Sequence, residues 1–425
     1  VAKEYSPATL VDALFSFDGG VNQTRSPLKL TADILARAVN VTVRNDFATH
    51  RPPYHKRLLT YENDVTKALV EGGLFQGACF YIADIPPPSL LAAISGMLFQ
   101  FTIVLNTVAV KRVDGGVTQD PTALQHWLFQ GEKWVIWNDG INNPVFFTQI
   151  TGCARSDFGV VIQNTAPVTI PALGATVVFP FIQISGPPVA IGNSLYFGNG
   201  ADSGSFIVTN IAGANITVFN NNAGVVGSIL PFAAPGPVIF AGSNLPPGRM
   251  GVYGLGRIWM SLVDGRQFVA SDAVGGSSGT SANNFRDAIL NITENSFLAE
   301  GGTFVVPGAI GDINAMIFTA TLDASLGQGP LQVLTSTTVF SCNTPTDRTT
   351  WQTVTNPILT QSLITNGGKG QNSTVSANGD ILFRSIDGQR SLILGRRDFD
   401  VWGNAPISNE VDDILSLDDP GLLRY

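Results

Sequence analysis

Tyr253-Gly254-Leu255-Gly256-Arg257-Ile258-Trp259, followed by Gln267-Phe268-Val269-Ala270-Ser271-Asp272, is the stretch whose reading decides the fold. Aromatic and β-branched residues in two short runs, with glycines between them and at their start, describe a β-hairpin spanning Tyr253–Asp272. Trp259 sits mid-run among apolar neighbours, which places it in the core of that hairpin rather than on a ligand.

Hairpins of the same kind recur on both sides. From about 70 to 150, strand-like runs at Leu74–Ile85, Leu98–Val113 and Lys133–Trp137 alternate with turn signals. Asn138-Asp139-Gly140 reads as a turn, with Val145–Gln149 as its return strand. Downstream, Asp312–Asp323 and Leu331–Cys342 read as two strands joined through Gly327-Gln328-Gly329-Pro330, and Asp380–Leu394 reads as a further hairpin. Hairpins at this spacing suit propeller blades or a sandwich.

Between these two halves the character changes. Over 151–245 charge thins to Arg155, Asp157 and Asp202, while Gly, Pro, Asn and β-branched residues accumulate. Strands at Val177–Ile184, Ser194–Gly198, Ser205–Asn210 and Asn215–Asn220 describe an inserted small β-sandwich or barrel. Its exit is marked by the Pro/Gly cluster Leu230–Gly236 and by Pro246-Pro247-Gly248. The expected organisation is therefore mainly β: an N-terminal arm (1–60), the first part of a β-propeller-like domain (61–150), the insertion (151–245), the second part (246–402), and a C-terminal helix and tail (403–425). The arm carries one expected helix near Thr31–Ala38, and the tail another over Ile407–Leu417 with Ser408 as its cap.

Three motifs carry a resemblance. Phe17-Asp18-Gly19-Gly20-Val21-Asn22-Gln23, then Val39-Asn40, then His50-Arg51-Pro52-Pro53-Tyr54, resembles the N-terminal part of the tail nozzle proteins of short-tailed bacteriophages, also called tail tubular protein B. The G-R-I-W strand at 256–259 before the A-S-D ending at 270–272 is similar to a strand pair of phage β-propeller tail proteins. Gly379-Asp380-Ile381-Leu382-Phe383-Arg384-Ser385 with Asp387-Gly388 and Arg390-Ser391-Leu392 is a further matching hairpin. The resemblance implies a virion structural protein that forms a homo-oligomeric ring, a hexamer, in the viral tail. Such a ring would bind adjacent tail or portal-adaptor proteins and let double-stranded DNA pass without specific binding during genome ejection. On this reading Arg25, Arg51, Tyr54 and Arg57 are expected at the assembly interface, because Arg and Tyr concentrate at interface hot spots. The channel loops are expected at Gly275, Gly276 and Gly279 and at Gly367, Gly368 and Lys369, where glycines at hairpin ends give freedom.

Composition narrows the alternatives. Of 425 residues, 44% are hydrophobic and only 13% charged, about half the usual charged fraction, so much of the surface is expected to be covered by partners. A formal charge of −8 without any run of Lys or Arg argues against a nucleic-acid clamp, while a neutral or acidic wall would let a duplex slide. Cys79, Cys153 and Cys342 show no C-x-x-C spacing and read as small buried apolar residues. The apolar runs near Leu90–Phe101 are interrupted by Ser95, Gly96 and Gln100, so no membrane insertion is expected, and the start does not resemble a signal peptide. The expected location is the virion tail, after synthesis in the host cytoplasm.

Catalytic patterns are weak, and no enzyme activity, metal or cofactor is expected. The three histidines, His50, His55 and His126, lie in no nucleophile elbow, and the Pro pair between the first two prevents a helical metal site. Asn366-Gly367-Gly368-Lys369-Gly370 lacks the first glycine and the final Ser/Thr of a phosphate loop. Asn138-Asp139-Gly140 and Ser385-Ile386-Asp387-Gly388 lack the alternating carboxylates of a calcium loop. Asp347-Arg348-Thr349-Thr350-Trp351 resembles a shortened sialidase Asp box, the basis of a minor alternative, a tail-associated glycan hydrolase. The main alternative is a receptor- or glycan-binding tail accessory, with Phe197, Phe206 and Phe219 of the insertion stacking on sugars.

Overall fold

The structure is a computed structural model and describes residues 41–44, 47–50, 57–84, 87–105, 107–197, 204–220, 231–232, 238–241, 244–274, 288–292, 303–306, 311–319, 329–343, 359–364, 366–377, 379–393 and 407–408. Among these residues the chain is mainly β, with one α-helix and several small antiparallel sheets. The helices expected near Thr31 and after Ile407 fall on residues outside this set, apart from a turn at 407–408.

The first elements are β1 (Val41–Arg44) and β2 (Phe47–His50), an antiparallel hairpin that joins no other sheet among the described residues. Next come β3 (Leu58–Tyr61), helix α1 (Asp64–Gly72), β4 (Phe75–Tyr81), β5 (Ser89–Ile94), β6 (Met97–Val104) and β7 (Thr107–Arg112). They form the first sheet, in the order β3-β7-β6-β5-β4, with β3 parallel to β7 and every other pair antiparallel. The expected arm boundary at residue 60 thus falls inside a strand of this sheet. The single run expected over Leu98–Val113 is two strands folded back on each other, β6 and β7. The run Leu90–Phe101 is likewise split by a turn at Ser95-Gly96, both at positive φ.

The second sheet is the meander β8 (Trp127–Gly131), β9 (Trp134–Asn138), β10 (Val145–Thr148) and β11 (Gly152–Arg155). Its last strand lies beyond residue 150, so the sheet runs past the expected start of the insertion. The insertion's own strands are β12 (Val161–Asn164), β13 (Val168–Thr169), β14 (Thr176–Ser185), β15 (Ser194–Phe197), β16 (Gly204–Ala212), β17 (Asn215–Phe219), β18 (Pro231–Phe232) and β19 (Val238–Ala241). Six of them pair in the order β15-β16-β17-β14-β12-β19, and β13 pairs with β18. Phe179, Leu195, Phe197, Phe206, Val208, Ile216 and Val218 fill a core that belongs to the insertion alone.

After the insertion the meanders resume. The third sheet is β20 (Gly248–Gly254), β21 (Arg257–Leu262), β22 (Gln267–Ala270) and β23 (Thr303–Val305). The fourth is β24 (Ile313–Phe318), β25 (Leu331–Thr335), β26 (Val339–Asn343) and β27 (Leu359–Ile364). Here too an expected single strand, Leu331–Cys342, is a hairpin: Thr338 N–H bonds to Thr335 Oγ1 at 3.0 Å, and Thr335 N–H to Thr338 O at 2.8 Å. The fifth sheet is β28 (Thr374–Ala377), β29 (Asp380–Ser385) and β30 (Gly388–Ser391), with Ile407 N–H bonded to Gln389 O beyond its last strand.

The five sheets stack in chain order. One edge strand of each touches that of the next, β4 on β8, β8 on β20, β20 on β24, and β24 on β28. Each gap is a core of its own. Tyr81, Leu91 and Leu98 meet Val135, Trp137 and Phe147, whereas Trp134, Ile136 and Phe146 on the opposite face of the second sheet meet Ile258, Met260 and Val269. Trp259, Phe268 and Phe304 then meet Met316, Phe318 and Val333, and Leu334 and Val339 meet Ile381 and Phe383. Burial of both faces explains why strands such as Trp134–Asn138 read as continuous apolar runs instead of alternating.

Candidate assembly surface

Two kinds of polar contact fix the register, one between neighbouring sheets and one within a sheet. Glutamine side chains imitate a strand edge. Ile82 N–H donates to Gln130 Oε1 at 2.9 Å while Gln130 Nε2 donates to Ile82 O at 2.8 Å, joining the first two sheets. Gln371 does the same to Met316, receiving its N–H at 2.8 Å and donating to its carbonyl at 3.0 Å. Within the third sheet, the R-I-W and A-S-D halves of the motif clasp each other. Arg257 donates to Ser271 O at 2.9 Å, and Ile258 N–H donates to Ser271 Oγ at 2.8 Å.

Of the residues weighed for chemistry, His55 and residues 347–351 lie outside the described residues, and the following are tied into the surrounding structure. His126 is buried, accepts from Trp137 Nε1 on Nδ1 at 2.9 Å, and has Nε2 3.0 Å from Asp120 O, so Nε2 carries the proton. Burial lowers its pKa below the ordinary value, outweighing the upward pull of the Asp120 backbone bond and of the Asp139 and Asp120 charges. Asp139, in the Asn-Asp-Gly turn, accepts from Ile141 N–H, Asn142 N–H, Asp120 N–H and Asn142 Nδ2 at 2.6–3.0 Å, so both its oxygens serve the loop. Cys153 and Cys342 are buried and Cys79 half-buried; burial pushes the Cys79 and Cys342 thiols up to about 12. Among the described residues no group of three or more His, Cys, Asp or Glu is placed to hold a metal, and no helix is long and apolar enough to cross a membrane.

The sugar-stacking reading of the insertion loses its main residues. Phe197 and Phe206 lie 3% and 0% exposed in the insertion core, with ring centroids 4.4 Å apart; only Phe219 is partly open. The insertion also exposes large aliphatic residues: Val178 and Ile182, four apart along β14 and so on one face, and Ile184 beside them at a β-bulge.

The expected channel residues divide. Gly275, Gly276 and Gly279 lie outside the described residues. Gly367 and Gly368 are buried between the fourth and fifth sheets: a β-carbon on Gly367 would lie 1.9 Å from Thr335 O, and Gly368 O accepts from Asn314 Nδ2 at 2.9 Å. Lys369 is half-exposed, with its N–H bonded to Arg384 O at 2.9 Å. Glycine here serves close approach of two backbones.

Of the expected interface residues, Arg25, Arg51 and Tyr54 are outside the described set. Arg57 is exposed and donates to Leu105 O at 3.3 Å. It marks a surface that composition alone did not single out. The outer face of the first sheet carries the rows Phe80-Leu90-Phe101-Val110-Tyr61, Ile103-Val108-Leu59 and Ala92-Phe99. Helix α1, started by Asn63 Oδ1 accepting from Thr66 N–H at 2.8 Å, lays Leu69 and Val70 on Ala92, Ile94 and Phe99 and covers that end. The other end is open: Phe80 is 62% exposed, Ile103 60%, Leu90 42% and Leu59 37%. At its tip Leu105 is 90% exposed with φ of 55°, in a turn position that glycine or asparagine usually takes. The clue available in the sequence was the accumulation of large apolar residues in alternate positions on both faces of β4 to β6.

No protein-family model matches the chain, and no curated protein matches it.

Proposed function

We propose that this chain is a virion structural protein, a ring-forming component of the tail nozzle of a short-tailed phage, in which the five stacked sheets are blades of a β-propeller-like body. The observation that carries the reading is the succession of small meanders whose edge strands β4, β8, β20, β24 and β28 touch in chain order, as the first strands of propeller blades would about an axis. The motif resemblances at Phe17–Tyr54, Tyr253–Asp272 and Gly379–Leu392 supply the role, and the Arg257–Ser271 clasp gives the second motif a structural reason. In this reading the protein's work is structural, not enzymatic: subunits repeat head to tail around a channel, contacting adjacent tail or portal-adaptor proteins, and DNA passes without being gripped. Electron microscopy with mass measurement of the purified protein tests it. Rings of several copies, and the protein's presence in purified virions, are expected; a strict monomer absent from virions overturns it.

A second reading makes the insertion a recognition module on the tail. It is favoured by the exposed stripe Val178, Ile182 and Ile184, which fits a protein partner better than a glycan. Adsorption of the isolated 158–243 segment to host cells would support it.

A further inference from the structure

The first sheet has an apolar face that is only half covered, and among the described residues the chain has a hairpin that joins no larger sheet. Phe80, Leu90, Ile103 and Leu59 lie in two adjacent rows of one face, next to the end that α1 covers. A contiguous exposed apolar patch of this kind marks an interaction surface. Immediately upstream in the chain, β1 and β2 pair only with each other among the described residues. A two-stranded hairpin alone is marginally stable in water and needs a surface to pack on. The two needs are complementary.

We infer that, in the ring proposed above, the β1–β2 hairpin of one copy lies on the open half of the first sheet's outer face in the next copy. The inference rests on the ring reading. The chain's own hairpin is joined to β3 by residues 51–57, which span at most about 25 Å. Yet Phe80 and Ile103 are about two-thirds exposed in the chain that carries it. The described residues of the same chain thus leave the face open, and its occupant is assigned to a neighbour. A contact between two different surfaces, repeated head to tail, is the heterologous type that closes into a ring. Leu105 adds a second sign. A leucine held at φ of 55° is strained, and such strain persists where the surroundings or a partner require it.

Co-expression of two differently tagged full-length chains, one with Val43→Cys and the other with Ile103→Cys, tests the contact under mild oxidation. A disulfide-linked heterodimer is expected only when both chains are present, and Thr42→Cys repeats the test from the neighbouring strand position. Separately, Phe80→Asp with Ile103→Asp should lower the ring fraction at least tenfold while the circular dichroism and melting temperature stay unchanged. Rings that survive those substitutions without any cross-link would overturn the inference and leave the ring reading standing. A cross-link formed only within single chains carrying both cysteines would place the hairpin on its own sheet and overturn it too. A wild-type protein that is monomeric at all concentrations would overturn both.

Discussion

The ring of Phe318 occupies the space that a side chain on Gly254 would need: a β-carbon there would lie 2.2 Å from Phe318 Cε2. On the other side of the same strand, Gly251 stands in the same relation to Phe129 Cζ at 2.3 Å. Strand β20 thus offers bare backbone to an aromatic ring from each neighbouring sheet, which lets β8, β20 and β24 approach closely. Gly254→Val and Gly251→Val are expected to destabilise by about 1–3 kcal/mol each through overpacking. Gly72→Ala, whose β-carbon would meet nothing within 4 Å, is the control and should leave the thermal midpoint unchanged or slightly raised. Equal midpoints for all three variants would show that the rings move aside freely.

Trp259 is fully buried, donates from Nε1 to Gly254 O at 3.0 Å, and has Phe268, Phe304 and Phe318 within 6.4 Å of its ring centroid. Trp259→Ala should cost about 3–5 kcal/mol, read from denaturant unfolding. Trp259→Phe keeps most of the packing but leaves the Gly254 carbonyl without its indole donor, so a smaller loss is expected. An alanine variant as stable as the wild type would remove Trp259 from the core.

His126 makes stability depend on pH. Its folded pKa lies below the ordinary 6.5, so between the two values the unfolded chain binds a proton that the folded chain does not. The stabilising contribution is full above about pH 6.5 and is lost as the pH falls toward the lowered folded value. His126→Gln, which can still offer an acceptor to Trp137 and a donor to Asp120 O, should flatten the fall in melting temperature between pH 7 and pH 5. Parallel curves for the two proteins would exclude the imidazole as the cause.

The insertion leaves and returns through one neck. Ser156 Oγ donates to Leu245 O at 2.6 Å, and Asp157 and Asn244 exchange hydrogen bonds, N–H of each to the side chain of the other, at 3.3 and 3.1 Å. Because the neck holds both ends together and the insertion has its own core, replacing 158–243 with a short Gly-Ser linker should leave the five sheets folded. A cooperative melt with retained β circular dichroism is the expected outcome. A collapse of the melt would show that the insertion supports the second and third sheets.

The mainly β character and most hairpins were legible, because paired aromatic and β-branched runs are the direct signature of strands buried on both faces. The turns were less so. Gly256 and Asp139-Gly140 announce theirs, but the Thr335–Thr338 turn is closed by a threonine hydroxyl, and the one after Val104 opens with a leucine at positive φ. Both lack glycine or proline, so two strands read as one. Helix α1 was missed because its apolar stripe is short and its signal is a single asparagine cap at Asn63. Gly367 and Gly368 read as a free loop because glycine permits freedom and close packing alike; only the positions of Thr335 and Leu334 decide between them.

Of the strands of its sheet β3 comes first in the chain yet is placed last, since its parallel partner β7 closes the meander. During synthesis from the N-terminus, β3 therefore waits until the whole of the first sheet has emerged before it has an edge to join. The surface that β3 helps to build, with Leu59 beside Val108 and Ile103, comes into being at the same moment. In the ring proposed above, a subunit would thus become able to accept a neighbour only after its own first sheet is finished: completion first, then polymerisation.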